Sequence, residues 1–303
     1  MSRFLLVAVF LTTCQTLRAD EIRHRFLAVD ESRHRLLHVD QVDPANDWAI
    51  ALEGKHRDIQ LVGGQAVMLT FADGYREFSL TSRKLLKEVK GYPGATSARR
   101  LADGQTVLAC NAQGVTVYEL DSGDKPLRKV NFSVPTTRLL RLTPQGTLLF
   151  GSSNVIFEGD WQGKIVKTLT LPKGTWFYQA IRLPSGNLLA AAGYDPAMME
   201  IDTEGKIVKS IGGRDTAEAK TLGYHFFGAF QVLAGGNIVV SNWTGHGPED
   251  SRKGVQLVEY DPAGRMVWKW HDPQRAGSIN GVIVLDGLDG LDTAILNDDT
   301  VPR

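Results

Sequence analysis

The stretches FEGDWQGKIVKTL (157–169), MEIDTEGKIVKSI (199–211) and VEYDPAGRMVWKW (258–270) are one motif written three times. In each, an aspartate (Asp160, Asp202 or Asp261) stands three residues before a glycine (Gly163, Gly205 or Gly264). An aspartate side chain accepts from backbone N–H groups two residues on, and a glycine takes the positive φ that a tight turn demands. The motif reads as a β-hairpin. A degenerate copy, LDSGDKPLRKV from Leu120, fills the same slot one unit earlier, and the unit before that has only SLTSRKLLKEV from Ser79.

Each hairpin follows a second shared half: an apolar strand start, a turn glycine, then a β-rich run. The copies are DIQLVGGQAVML from Asp58, ARRLADGQTVLA from Ala98, LLRLTPQGTLLF from Leu139, AIRLPSGNLLAA from Ala180 and AFQVLAGGNIVV from Ala229. Their glycines, Gly64, Gly104, Gly146, Gly186 and Gly236, are spaced by 40, 42, 40 and 50 residues. Four short strands, A to D, in a unit of about 40 residues is the arithmetic of a β-propeller; helical repeats would show a 3.6-residue period. Val, Ile and Leu on both strand faces fit sheets covered on each side.

The ends decide the closure. Residues 26–52 read as strands B, C and D without an A, and GSINGVIVLDG from Gly277 reads as an A without partners. Joined, they make a mixed first blade that removes open sheet edges. The expectation is an all-β, six-bladed propeller over residues 20–303, closed by N- and C-terminal strands; a C-terminal piece forming its own blade would give seven.

The 303 residues carry 34 basic and 34 acidic side chains. A balanced charge argues against a nucleic-acid coat, which needs a strong basic field. Residues 1–19 read as a secretory signal: Arg3, an apolar run from Phe4 to Leu11, and Ala19 before the cleavage point. The run is too short to span a bilayer, which takes about 20 residues, and no later segment is long enough. Secretion or a periplasmic location is expected. Lipoprotein anchoring at Cys14 is the alternative, although Thr13 is larger than a lipobox residue. With Cys14 removed, Cys110 stands alone in a strand-like run and reads as a buried, inert thiol.

The sixth unit, LAGGNIVVSN followed by GVQLVEYDPAGRMVWKW, resembles the repeat of bacterial arylsulfotransferase-like propellers and of the wider group with quinoprotein-like (PQQ-type) repeats. The strand pattern covers nearly all the mature chain. The resemblance implies a propeller scaffold and, for the sulfotransferases, a top-face histidine as sulfate acceptor. Tyr224-His225-Phe226-Phe227 sits roughly in that slot, with His225 eight residues before Leu233. The paired histidines and acidic residue of that family's element have no counterpart here, so the activity is not carried over. Eight blades and recurrent Trp-docking repeats are absent too, so no PQQ or other cofactor is expected.

In a propeller the A–B and C–D turns lie at one end, and the B–C loops and D-to-A connections at the other, around the channel mouth. The first set is tight here, which makes the second, the top face, the candidate. Its most informative loop is SNWTGHGPEDSRKG, 241–254, whose length is taken to explain the 50-residue interval. Trp243 offers a stacking platform and His246 a proton-transfer or ligand-binding group. Asp250, Trp176, Tyr178, Tyr194 and Arg138 complete the proposed ligand-binding set, with His246 and His225 as the candidates should the protein be catalytic. Tyr92, Ser278 and Asn280 lie on nearby segments. Each of these side chains also has an ordinary reading as blade-junction packing or solvated loop.

Gln60, Arg100, Arg141 and Arg182 precede the strand-A apolar residue in four units. They read either as a partial basic ring around the channel or as arginines paired with the adjacent blade. Asp286, Asp289, Asp292, Asp298 and Asp299 lack the spacing of an EF-hand and read as an acidic tail, so no metal site is expected. Asn131-Phe132-Ser133 and Asn242-Trp243-Thr244 match glycosylation acceptors by chance. No G-x-S-x-G, H-E-x-x-H, P-loop or dinucleotide fingerprint occurs. The leading expectation is an exported, non-catalytic propeller binding a small molecule, glycan or protein segment on its top face. The alternatives are an arylsulfotransferase- or lyase-like enzyme using a top-face histidine, and an interaction module of an envelope assembly.

Overall fold

In the computed structural model, which describes residues 22–288, the chain forms six four-stranded antiparallel sheets arranged as propeller blades. Blades 2 to 6 are each contiguous in sequence and begin with an inner strand: His56–Val62, Ala95–Arg100, Arg141–Leu142, Gln179–Arg182 and Phe227–Val232. Blade 1 takes its inner strand, Ile279–Val284, from the far end of the chain and pairs it antiparallel with Arg25–Asp30, Val282 opposite Ala28. Arg35–Asp40 and Trp48–Ala51 complete it. The expected closure and the count of six are what the fold adopts. The acidic positions Asp289, Asp292, Asp298 and Asp299, the segment 1–19 and Cys14 lie outside the described residues.

The turn chemistry explains why the motif repeats. The five A–B turn glycines have φ between 65° and 88°. At the C–D turns, Asp160 Oδ1 accepts from the amides of Gln162 (3.0 Å) and Lys164 (2.9 Å), and Asp202 does the same for Glu204 and Lys206. In the degenerate copy the glycine position is Asp124, held at φ 66°. Its carboxylate bonds the Tyr75 hydroxyl and pairs with Lys87 at 2.5 Å, both on the neighbouring blade.

The extra residues of the 50-residue interval are not in the loop 241–254, which lies beyond Gly236. They form the connection 213–226 between blades 5 and 6, which contains the helix Ala217–Leu222. This corrects the assignment made from sequence: a turn-to-turn interval senses the B–C loop and exit of the earlier blade, never the later blade's own B–C loop. Glu218 on that helix accepts from the hydroxyls of Tyr224 and Tyr260, both at 2.9 Å, which pins the insertion to blade 6.

Blades are joined in the core by apolar clusters and at the channel by glutamines. Gln60, Gln179 and Gln231 each use both ends of the amide on the backbone of the next inner strand, at Arg100, Phe230 and Val284 respectively. A side-chain amide has the donor and acceptor of a peptide unit, so each glutamine extends the ladder between strands too far apart to pair directly.

The arginine set divides. Arg100 pairs with Glu77 at 2.6 Å and Arg182 with Glu158, each on the preceding blade. Only Arg141 reaches the channel, where both its terminal nitrogens lie 2.9 Å from Asp58, across from blade 4 to blade 2. Arg99 and the Ser97 hydroxyl join the same carboxylate, and all four residues are buried. One buried carboxylate thus gathers two guanidiniums and a hydroxyl, joining the inner strands of three blades. Cys110 is buried, its thiol directed at the Tyr92 carbonyl 3.6 Å away, and burial pushes its pKa up to about 12. An un-ionised thiol is a poor nucleophile.

Candidate functional site

The top-face mouth opens on a cavity of about 210 Å³. Its walls come from five of the six blades, so no single repeat encodes it. Tyr178, Arg138 and Phe226 sit at the entries to inner strands, Trp243 and His246 on the loop between Ile238–Asn242 and Leu257–Tyr260, and Tyr194 on the short loop before Ala197–Ile201. Glu31, Lys55, His56, Arg57 and Asn280 complete the lining.

Of the residues singled out in the sequence, Trp243, His246, Tyr178, Tyr194 and Arg138 are therefore brought to one place. Asp250 is not among them: its carboxylate accepts from the Gly247 amide at 2.9 Å and pairs with Lys253 at 2.8 Å, folding the loop on itself. Trp176 stands outside the cavity, edge-on to Tyr194. His225 lines a shallower neighbouring cleft with Tyr194, Tyr224 and Arg214, its ring near Tyr194 and Trp243. Burial, then the Lys253 charge, lowers the His225 pKa. Asn242, the proposed chance acceptor for sugar, is buried and bonded through its amide to His225, Gly223 and Val255.

Glu31 organises the rim. It is buried, and it accepts from Trp243 Nε1 at 3.2 Å, faces His246 Nδ1 at 2.9 Å, and lies 3.5 Å from Lys55 Nζ. The His246 side chain itself is 65% exposed. Thus one carboxylate ties blade 1 to the blade 6 loop and sets which imidazole nitrogen faces solvent.

The inner wall is cationic and only partly satisfied. Neither the Arg57 nor the Arg138 guanidinium has a hydrogen bond or ion pair among the described residues. Burial, then the proximity of Arg57, holds Arg138 below its usual pKa. Tyr178 is buried with its hydroxyl unpartnered; burial raises its pKa, and the charges of Arg57 and Arg138 pull in the other direction. Buried polar groups are normally hydrogen-bonded, and the exceptions concentrate where a ligand or water belongs. Among the described residues four buried side chains carry such an orphan atom, and three of them, His56 with Nε2, Tyr178 with Oη and Asn280 with Oδ1, are residues of this cavity's lining. Among the described residues no group of three or more His, Cys, Asp or Glu is placed to hold a metal ion.

Sequence reading missed Glu31, Lys55, His56 and Arg57. A signal was present: Lys55-His56-Arg57 is a run of three basic types where a D-to-A connection enters its inner strand, on the face already preferred. Glu31 carries none, since it sits in an ordinary short turn whose partner lies 215 positions away.

No family model and no curated protein matches the chain. Solved structures of similar fold include a protein of unknown function from Bacteroides caccae, 19% identical, with a TM-score of 0.74 over 87% of this chain and 99% of that one. Streptogramin B lyase is 12% identical, with a TM-score of 0.56 over 82% and 83% of the two chains. A catalytically inactive His-to-Ala variant of virginiamycin B lyase from Staphylococcus aureus, solved with quinupristin, is 11% identical, with a TM-score of 0.53 over 84% and 86%. At these identities the likeness is one of fold.

Proposed function

We propose that this propeller is an exported binding protein that captures a small anionic molecule in the top-face cavity. The observation that carries the reading is the pair Arg57 and Arg138, two half-buried guanidiniums of the lining with no ion pair to a carboxylate among the described residues. Elsewhere, Arg99, Arg100, Arg141 and Arg182 each have an acidic partner. Holding two like charges together against partial desolvation is costly, and an anion relieves both costs at once. Tyr194, Phe226 and Trp243 supply the apolar surface that a ligand larger than an inorganic ion needs. Export is supported by Arg3, the apolar run Phe4 to Leu11 and Ala19. Thermal shift at low salt with benzoate, phenyl phosphate and neutral benzyl alcohol tests the reading. The anions should raise the melting temperature, and Arg57→Ala and Arg138→Ala should each abolish the rise. Equal shifts by benzyl alcohol, or anion shifts that survive in both variants, would overturn it.

An acid–base enzyme is the second reading, and the Glu31–His246 pair favours it. A histidine at the mouth beside a buried carboxylate has the parts of a general base. Incubation with quinupristin, followed by mass spectrometry for a changed product, examines the lyase version; conversion by the wild type and none by His246→Ala would support it, and an unchanged substrate would remove it.

A further inference from the structure

Residues of the cavity wall carry unpartnered buried acceptors as well as cations, and this narrows the ligand. His56 is buried, and burial first of all lowers its pKa to about 4, so the ring is neutral at pH 7. Its Nδ1 faces the Gly54 carbonyl at 3.3 Å, and a carbonyl only accepts, so the proton resides there. The unpartnered Nε2 is consequently a lone-pair acceptor. Asn280 is fixed in the same sense: its Nδ2 donates to the His56 carbonyl at 3.1 Å, which leaves Oδ1 as the unpartnered acceptor.

A bare anion answers Arg57 and Arg138 but sets its own lone pairs against these two acceptors. A neutral polyol answers the acceptors and leaves both guanidiniums unpaired. An amino acid brings donors, but its ammonium would add to the cations Arg57, Arg138 and Lys55 in a cavity whose lining carboxylate, Glu31, is already engaged by Trp243, His246 and Lys55. One chemistry meets all the requirements: a carboxylate for the guanidinium forks, hydroxyls for His56 Nε2 and Asn280 Oδ1, with Tyr178 Oη free to donate or accept, and an apolar ring face for Trp243 or Tyr194. The volume of about 210 Å³ is below the ~300–1,000 Å³ of pockets for drug-sized ligands, so it suits one ring rather than a chain.

Resting on the reading that the cavity binds an anion, we infer that its ligand is a hydroxylated ring carboxylate of the uronic acid class. Calorimetric titration at low salt tests this with four probes: D-glucuronate and D-galacturonate, D-glucose as the uncharged hydroxylated ring, and cyclohexanecarboxylate as the charged ring without hydroxyls. At least one uronate should bind about tenfold or more tightly than both controls, equivalent to about 1.4 kcal/mol. Tyr178→Phe and His56→Phe should each bring the affinity ratio of uronate to cyclohexanecarboxylate most of the way back to one; the probe series on wild-type protein decides the matter even if His56→Phe does not fold. Cyclohexanecarboxylate binding as well as the uronates would overturn the inference and leave the anion reading standing, with water occupying the acceptors. Glucose binding as well as the uronates, or no binding by any of the three anions, would overturn both.

Discussion

Asp286 Oδ2 lies 2.5 Å from His24 Nδ1, so the last described turn of the chain is held to the residue preceding its first strand. His24 Nε2 is 2.7 Å from Glu259 Oε2 on blade 6, and the ring packs edge-on to Trp268. Burial opposes the charged imidazole, but the hydrogen bonds to Asp286 and Glu259 outweigh it and raise the pKa to about 9. A group whose folded pKa is raised stabilises the fold fully below its unfolded value, near 6.5, and loses that contribution as pH rises through the folded value. The difference in thermal midpoint between wild type and His24→Asn should be largest at pH 6 and shrink towards zero by pH 10. A difference independent of pH would show that packing, not charge, is what His24 contributes.

The double hydrogen bond from Gln179 to Phe230 gives a second expectation. Both distances are 3.1 Å and the glutamine is fully buried. Gln179→Ala strands a buried N–H and C=O at the channel wall, a loss of about 1–3 kcal/mol. Urea denaturation should show it as a lower midpoint with the slope unchanged.

Asp124 separates backbone from side chain. Its positive φ costs an L-residue about 1–2 kcal/mol relative to glycine, while its carboxylate bonds Tyr75 and Lys87. Asp124→Gly and Asp124→Ala lose the same contacts, so Asp124→Ala should be the less stable by about 1 kcal/mol in chemical denaturation.

The channel cluster should be far more sensitive than a surface pair. Asp58→Asn leaves Arg141 and Arg99 charged and buried, at an expected cost of about 3–5 kcal/mol. Glu119→Gln, whose partner Arg128 is 46% exposed, should cost at most about 1 kcal/mol. Parallel melts of the two variants check the contrast.

The blade count and the closure were readable because turn glycines and turn aspartates are local devices: each φ or cap is set within four residues, so it leaves a spacing in the sequence. The top face was readable for the same reason, since tight turns at one end push variable length to the other. The cavity was readable only in part. Trp243 and His246 stand in a long loop and draw notice, whereas Glu31, His56 and Arg57 acquire their roles from residues on other blades. The glutamates that receive the arginines, Glu77 and Glu158, do recur at one position of the third strand, immediately before a shift of register, and Glu119, Glu200 and Glu259 share it. That regularity is visible once known, but a charged residue in a strand is ordinarily read as solvated.

The mixed blade fixes the order in which the protein can be completed. Blades 2 to 6 can each assemble from neighbouring chain, whereas Arg25–Asp30 must wait for Ile279–Val284, some 250 positions later. Until that strand arrives, the nascent protein is an open arc whose buried-type edge, Phe26 to Val29, is unpaired and able to capture another extended segment. Contacts of such long range slow folding and lengthen exposure to aggregation. The strand that shuts the ring is thus also the last checkpoint of its biogenesis, and chains cut short before residue 279 are the species a cell has most reason to degrade.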